Sequence, residues 1–172
     1  MSQYVRDARI AMIYERANGI QALDLVGRKL PQNGGRAVQA FFKEVGDFCE
    51  ENRDDEQMAF FTKHLKKGLN DLQQATMWFV QNAMAKPDNA GAGSHDYMHL
   101  FGLVALGYIW GLQAKAAQEK IAAGANGDAR YLENKLVTAR YFFERIMPES
   151  SAHLARISAG ADSMMAIPEE AF

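Results

Sequence analysis

With 172 residues, 48% of them hydrophobic and 23% charged, the chain can bury one core of ordinary size and has the composition of a soluble globular protein. A formal net charge of -2 gives no electrostatic footprint for nucleic acid, so no DNA or RNA partner is expected. The single cysteine, Cys49, excludes an internal disulfide framework; it suits a reducing cytosol and is expected to be a small buried apolar residue.

The N-terminal stretch MSQYVRDARI carries charge early and has no long apolar core before a cleavage site, so no signal peptide is read and a cytoplasmic protein is expected. Next comes IAMIY, a mostly apolar approach that ends in a lone carboxylate, Glu15, followed by Asn18-Gly19 as a turn or helix start. A carboxylate held there is partly desolvated, which raises its proton affinity toward the range of a general base. The plainer reading is a carboxylate favoured by the dipole and free amides of a helix N-terminus. A helix is predicted from about Asn18, with Ile20, Leu23, Val26 or Gly27, and Leu30 on its apolar side, ended by Pro31 through Gly35.

Together RDARI, IYERANGIQ and GRKL resemble the closing segment of the acyl-CoA dehydrogenase family, which reads roughly RDARI, then IYEGTNGIQ, then an apolar helix ending near GRKL. In that family the glutamate of the motif takes the α-proton of an acyl-CoA thioester while the β-hydride passes to N5 of FAD. The resemblance therefore implies that Glu15 is the catalytic base and that Asn18 and Gly19 lie near the flavin nucleotide. It also implies FAD as cofactor, an acyl-CoA substrate and a homo-oligomer. The family's Gly-Thr after the glutamate is Arg16-Ala17 here, which removes a flexible hydroxyl-bearing pair. A guanidinium beside Glu15 would also favour its ionised form.

A second helix is predicted from about Gly35 to Asn52 on the stripe Val38, Phe41, Phe42, Val45, Phe48 and Cys49. The third, to about Ala85, repeats Phe61, Leu65, Leu69, Leu72, Thr76, Phe79 and Ala83 at three- and four-residue steps. Lys86 to Gly93, KPDNAGAG, reads as the clearest linker, with Ser94 as N-cap of a fourth helix running to about Ala123. That helix is expected to turn Tyr97, Phe101, Val104, Tyr108 and Leu112 inward. Its apolar run from Leu100 to Leu112 falls short of the ~20 residues that cross a bilayer, so a buried helix is expected and no membrane partner. Gly107 and Gly111 are spaced to let a neighbour approach closely.

Asp128 is the expected N-cap of a fifth helix carrying Leu132, Leu136, Ala139, Phe143 and Ile146. Pro148 marks a kink or the first turn of a last segment with Leu154, Ile157 and Ala161. The prediction is all-α: an up-and-down four-helix bundle preceded by a short helical segment. The tail ISAGADSMMAIPEEAF resembles the acetyl-CoA-dehydrogenase-like C-terminal extension of one branch of the same family. On that basis residues 1–33 are the end of the catalytic C-terminal domain and 34–172 the bundle extension.

His95 and His99 share a helix face, but two ligands are too few and HExxH is absent, so no metal is expected. His64 and His153 lie in polar surroundings and are expected to be solvated or capping groups. The aromatic residues at helical spacing are read as core, and Lys63, Lys66 and Lys67 as a solvated face. GxGxxG, GxxxxGKS/T and GxSxG motifs are absent. Most of the family's FAD and acyl-CoA site has no counterpart in this sequence, which implies inactivity in isolation. The alternative is a free-standing helical module for oligomerisation or partner binding.

Overall fold

The computed structural model describes residues 2–13, 17–83, 85–124 and 129–171, with the backbone alone for 11–13, 17 and 18. The described residues are all-α, without a strand. The helices are α1 (Ser2–Ile13), α2 (Ala17–Asp24), α3 (Arg36–Glu51), α4 (Ala59–Asn82), α5 (Pro87–Ala122), α6 (Ala129–Tyr141) and α7 (Glu149–Ala159). Wider π-helical turns extend α2 over Leu25–Lys29 and α6 over Phe142–Ile146.

Side-chain pairs give the course of the chain. Glu50 of α3 meets Lys66 near the start of α4, so these two helices are antiparallel. The Thr76 and Tyr97 hydroxyls meet at the far end of α4, while Gln118 reaches the Gln57 carbonyl at its near end; α5 therefore returns along α4. Gln113 faces Lys135 and Asp96 faces His153, so α6 and α7 run back along α5. Four successive segments thus alternate in direction.

The stripe on α4 is the predicted one: Phe61, Leu65, Leu69, Leu72, Thr76 and Phe79 are all buried. On α5 the buried positions include Gly93, Tyr97, Leu100, Val104, Gly107, Gly111 and Ala114, alternating steps of four and three that keep one seam on its neighbours. The glycines make that seam close. A Cβ on Gly111 would stand 2.9 Å from the Phe48 ring, and one on Gly107 would run into the Met147 side chain. By length and composition alone the 36-residue α5 could cross a bilayer; 39% of its apolar window is buried, and the helix packs against α4, α6 and α7.

Several expectations are corrected, and a helix not predicted above, α1, is added. Residues 87–93 are helix, not linker: Pro87 occupies the first turn, where its missing amide costs nothing and its ring presets φ, and Asp88 complements the dipole. Ser94 is therefore interior to α5, with its hydroxyl donating to the Gly91 carbonyl at 3.1 Å. The approach to Glu15 is itself a helix, α1, and its residues 2–10 are exposed. Along α2 and its π turn the buried row is Ala22, Val26 and Leu30, while Ile20 and Leu23 are about half exposed, because the i, i+4 row is the one laid on α5. Leu112 points outward with Leu106 and Ile109.

The turn between α2 and α3 follows the expected break. Asn33, Gly34 and Gly35 take left-handed backbone at φ 52°, 68° and 77°. Pro148 likewise precedes α7, as a segment boundary.

Candidate functional site

The segment expected to carry the base falls in sequence between the end of α1 at Ile13 and the start of α2 at Ala17. Glu15 and Arg16 fall outside the described residues. Asn18 lies in the first turn of α2, described by its backbone. Gly19 follows it, exposed, and among the described residues nothing lies within 4 Å of the position a Cβ would take.

What holds that turn in place is the row below it. Ala22, Val26 and Leu30 are buried, and α2 with its π turn packs along α5. Asp24 receives Arg28 at 2.5 Å and Lys29 at 3.3 Å. The Arg28 hydrogen bond leads the causes that bring the Asp24 carboxyl down to about 2. This exposed ion pair braces the helix C-terminal to Gly19.

Other nucleophiles and acids are engaged in structure. The Cys49 thiol is buried, which pushes it up to about 11, so it is held protonated at neutral pH. Tyr97 is fully buried with its hydroxyl 2.7 Å from that of Thr76, and burial pushes it up to about 12. Asp71 is buried and receives Lys67, Ser150 and Ser151.

Two histidines differ from expectation. His64 is neither solvated nor a cap: its Nδ1 meets the Phe60 carbonyl at 2.8 Å, and its ring lies near those of Phe60 and Phe143. His153 is mostly shielded on Asp96, because α7 lies along the first half of α5. It joins His95 and His99 in one cluster that the sequence pairing of i and i+4 could not disclose. Among the described residues, no three histidine, cysteine or acidic side chains are placed to hold a metal ion.

The sequence model for the family described as acetyl-CoA dehydrogenase C-terminal like matches residues 41–168. The chain belongs to this family. It is 34% identical to the 3-methylmercaptopropionyl-CoA dehydrogenase of Ruegeria pomeroyi, over 96% of this chain and 28% of that protein. It is 27% identical to a broad-specificity linear acyl-CoA dehydrogenase of Mycobacterium tuberculosis, over 100% of this chain and 29% of the relative. A butyryl-CoA dehydrogenase of Syntrophomonas wolfei is also 27% identical, over 96% and 27% respectively. The chain thus spans less than a third of the length of these relatives. Its matched region extends from within the first half of α3 to beyond α7.

The fit to a flavin is partial. Gly19 offers an open backbone approach, but the described residues place no wall around it to enclose a dinucleotide.

Proposed function

We propose that this chain is the C-terminal helical portion of an FAD-dependent acyl-CoA dehydrogenase, with Glu15 as the base that removes the α-proton of the thioester. The observation that carries the reading is the match of nearly the whole chain to three enzymes named as dehydrogenases of CoA thioesters. The segment containing Glu15, Asn18 and Gly19 lies within that span. When bound, FAD supplies the acceptor for the β-hydride. The residues of this chain would do three things: Glu15 would hold the abstracted proton, Asn18 and Gly19 would face the nucleotide, and the Ala22–Val26–Leu30 row would fix that turn on α5.

On this reading residues 1–33 close the catalytic domain and residues 34–172 form the extension. The open side of Gly19 and the exposed α1 are then surfaces for the flavin-bearing part, so the chain alone is inactive. A cytoplasmic homo-oligomer acting on acyl-CoA completes the proposal. The second reading is a free-standing oligomerisation module. Arg16-Ala17 in place of the family's Gly-Thr favours it, as do the exposed Leu106, Ile109 and Leu112 on α5.

Gel filtration with flavin absorbance separates the two. The chain alone is expected to elute colourless, then to co-elute with a flavin-bearing portion taken from one of the relatives. The flavin should bleach on adding an acyl-CoA thioester with Glu15 present, but not with Glu15→Gln. A self-associated chain that ignores the flavin-bearing portion establishes the module instead.

A further inference from the structure

His95 and His99 stand one turn apart on the exposed side of α5, with ring centroids 4.4 Å apart. Across the joint, the His153 ring of α7 lies 5.7 Å from that of His99, with the planes only 9° apart. Three imidazoles therefore form a row that bridges two helices.

One end of the row is anchored. His153 Nδ1 meets Asp96 Oδ1 at 2.7 Å, and the same oxygen accepts from Arg156 Nη1 at 3.0 Å. Asp96 already has a permanent cation, and Arg156 Nη1 itself stands 3.4 Å from His153 Nδ1. Glu149, in the first turn of α7, is the other acidic group acting on His99. From α4, the charged groups that reach α7 are Lys67 and Asp71, engaged with each other and with Ser150 and Ser151. With the imidazoles neutral, the joint sets Asp96 and Glu149 against Arg156. A first proton balances that set; a second has no counter-charge.

We propose that the His95–His99–His153 row is a proton-sensitive clasp, holding α7 on α5 while it is neutral and loosening that contact once a second proton enters. An unperturbed imidazole titrates near about 6.5. Partial desolvation against its neighbours, then the nearby His95 and His153, hold the exposed His99 below its ordinary value. The folded state then binds fewer protons than the unfolded state as pH drops below about 6.5. Stability is full above that pH and declines beneath it. Because His95 and His99 are exposed, water and salt screen the repulsion, so the response is graded.

Urea unfolding of the full chain at about pH 7.5 and about pH 5.5 tests this, with the His95→Gln/His99→Gln double variant as reference. Both positions are on the surface, so the variant should fold, and any response of His64 is common to the two proteins. Acidification should raise the wild-type unfolding constant roughly five-fold more than that of the variant. Amide exchange should accelerate in α7 ahead of α3 in the wild type alone. In an NMR titration, His95→Gln should move the His99 midpoint upward. An identical acid response in wild type and variant, or a His99 midpoint indifferent to residue 95, overturns the proposal.

Discussion

The Ser150 hydroxyl donates to the Asp71 carboxylate at 2.8 Å, and both residues are at most 2% exposed, so the first turn of α7 is tied to the middle of α4 inside the protein. Lys67 supplies the balancing charge from one turn away, and Ser151 donates as well. A buried carboxylate with this many donors is tolerated because each oxygen is engaged. Asp71→Ala should cost about 3 kcal/mol, since it strands the Ser150 hydroxyl and leaves Lys67 without its partner. Ser150→Ala should cost about 1–2 kcal/mol, and the double variant less than the sum. Urea midpoints give all three values; strictly additive losses would mean that the two groups do not interact.

The glycines divide by what stands opposite them. Gly46, within α3, has nothing within 4 Å of an added Cβ, whereas Gly111 faces the Phe48 ring at 2.9 Å. Gly46→Ala should therefore stabilise by about 0.5–1 kcal/mol through helix propensity. Gly111→Ala has the same propensity gain but must displace a buried aromatic ring in a closed seam, and overpacking costs about 1–3 kcal/mol. It should come out neutral to destabilising. Thermal denaturation of the pair decides, and a shared stabilisation would remove the close-approach argument for the α5 seam.

Much of this architecture can be read from spacing, because α3 and α4 carry single apolar stripes. Phe61, Leu65, Leu69, Leu72 and Phe79 need only periodicity to be placed inward. Reading failed where local chemistry has two meanings. KPDNAGAG holds turn residues, yet Pro87 and Asp88 are as good at opening a helix, and Gly93 is required where the Phe79 ring lies 2.8 Å from a would-be Cβ. On α2 both the Ile20–Leu23 side and the Ala22–Val26–Leu30 row are apolar, and only the position of α5 chooses between them. For the candidate site, the motif around Glu15 was legible through family resemblance. The joining of His153 to His95 and His99, and of Asp71 to Ser150, depends on contacts between residues far apart in sequence and has no local pattern.

Tyr97 and Cys49 give the protein an alkaline limit. Burial pushes the Tyr97 phenol from 10.0 up to about 12 and the Cys49 thiol from 9.0 up to about 11. Between those pairs of values the folded state retains protons that the unfolded chain gives up, so stability falls as pH rises through 9 and more steeply above 10. Tyr97→Phe should cost about 1 kcal/mol at neutral pH, a modest loss because Thr76 keeps its bond to the Leu72 carbonyl at 2.8 Å. Above pH 10 its stability should decline less than that of the wild type. Parallel pH–stability curves would show that the phenol does not titrate through the fold. The same burial predicts that Cys49 resists maleimide in the native protein and reacts as urea unfolds it.

Leu106, Ile109 and Leu112 lie along the outer side of α5, 38–54% exposed, on the helix that α2 also packs against. The seam of the same helix is closed by Gly107 and Gly111, so the outer residues contribute little to the core, and their exposure is a cost in water rather than a source of stability. Leu106→Gln/Ile109→Gln should change the urea midpoint by no more than about 0.5 kcal/mol. If this face is covered by an assembly partner, as the second reading of an oligomerisation module holds, the double variant should elute later than wild type at equal concentration, or lose co-elution with the flavin-bearing portion. A variant that keeps its stability and every association would place the contact surface elsewhere, with the exposed α1 next in line.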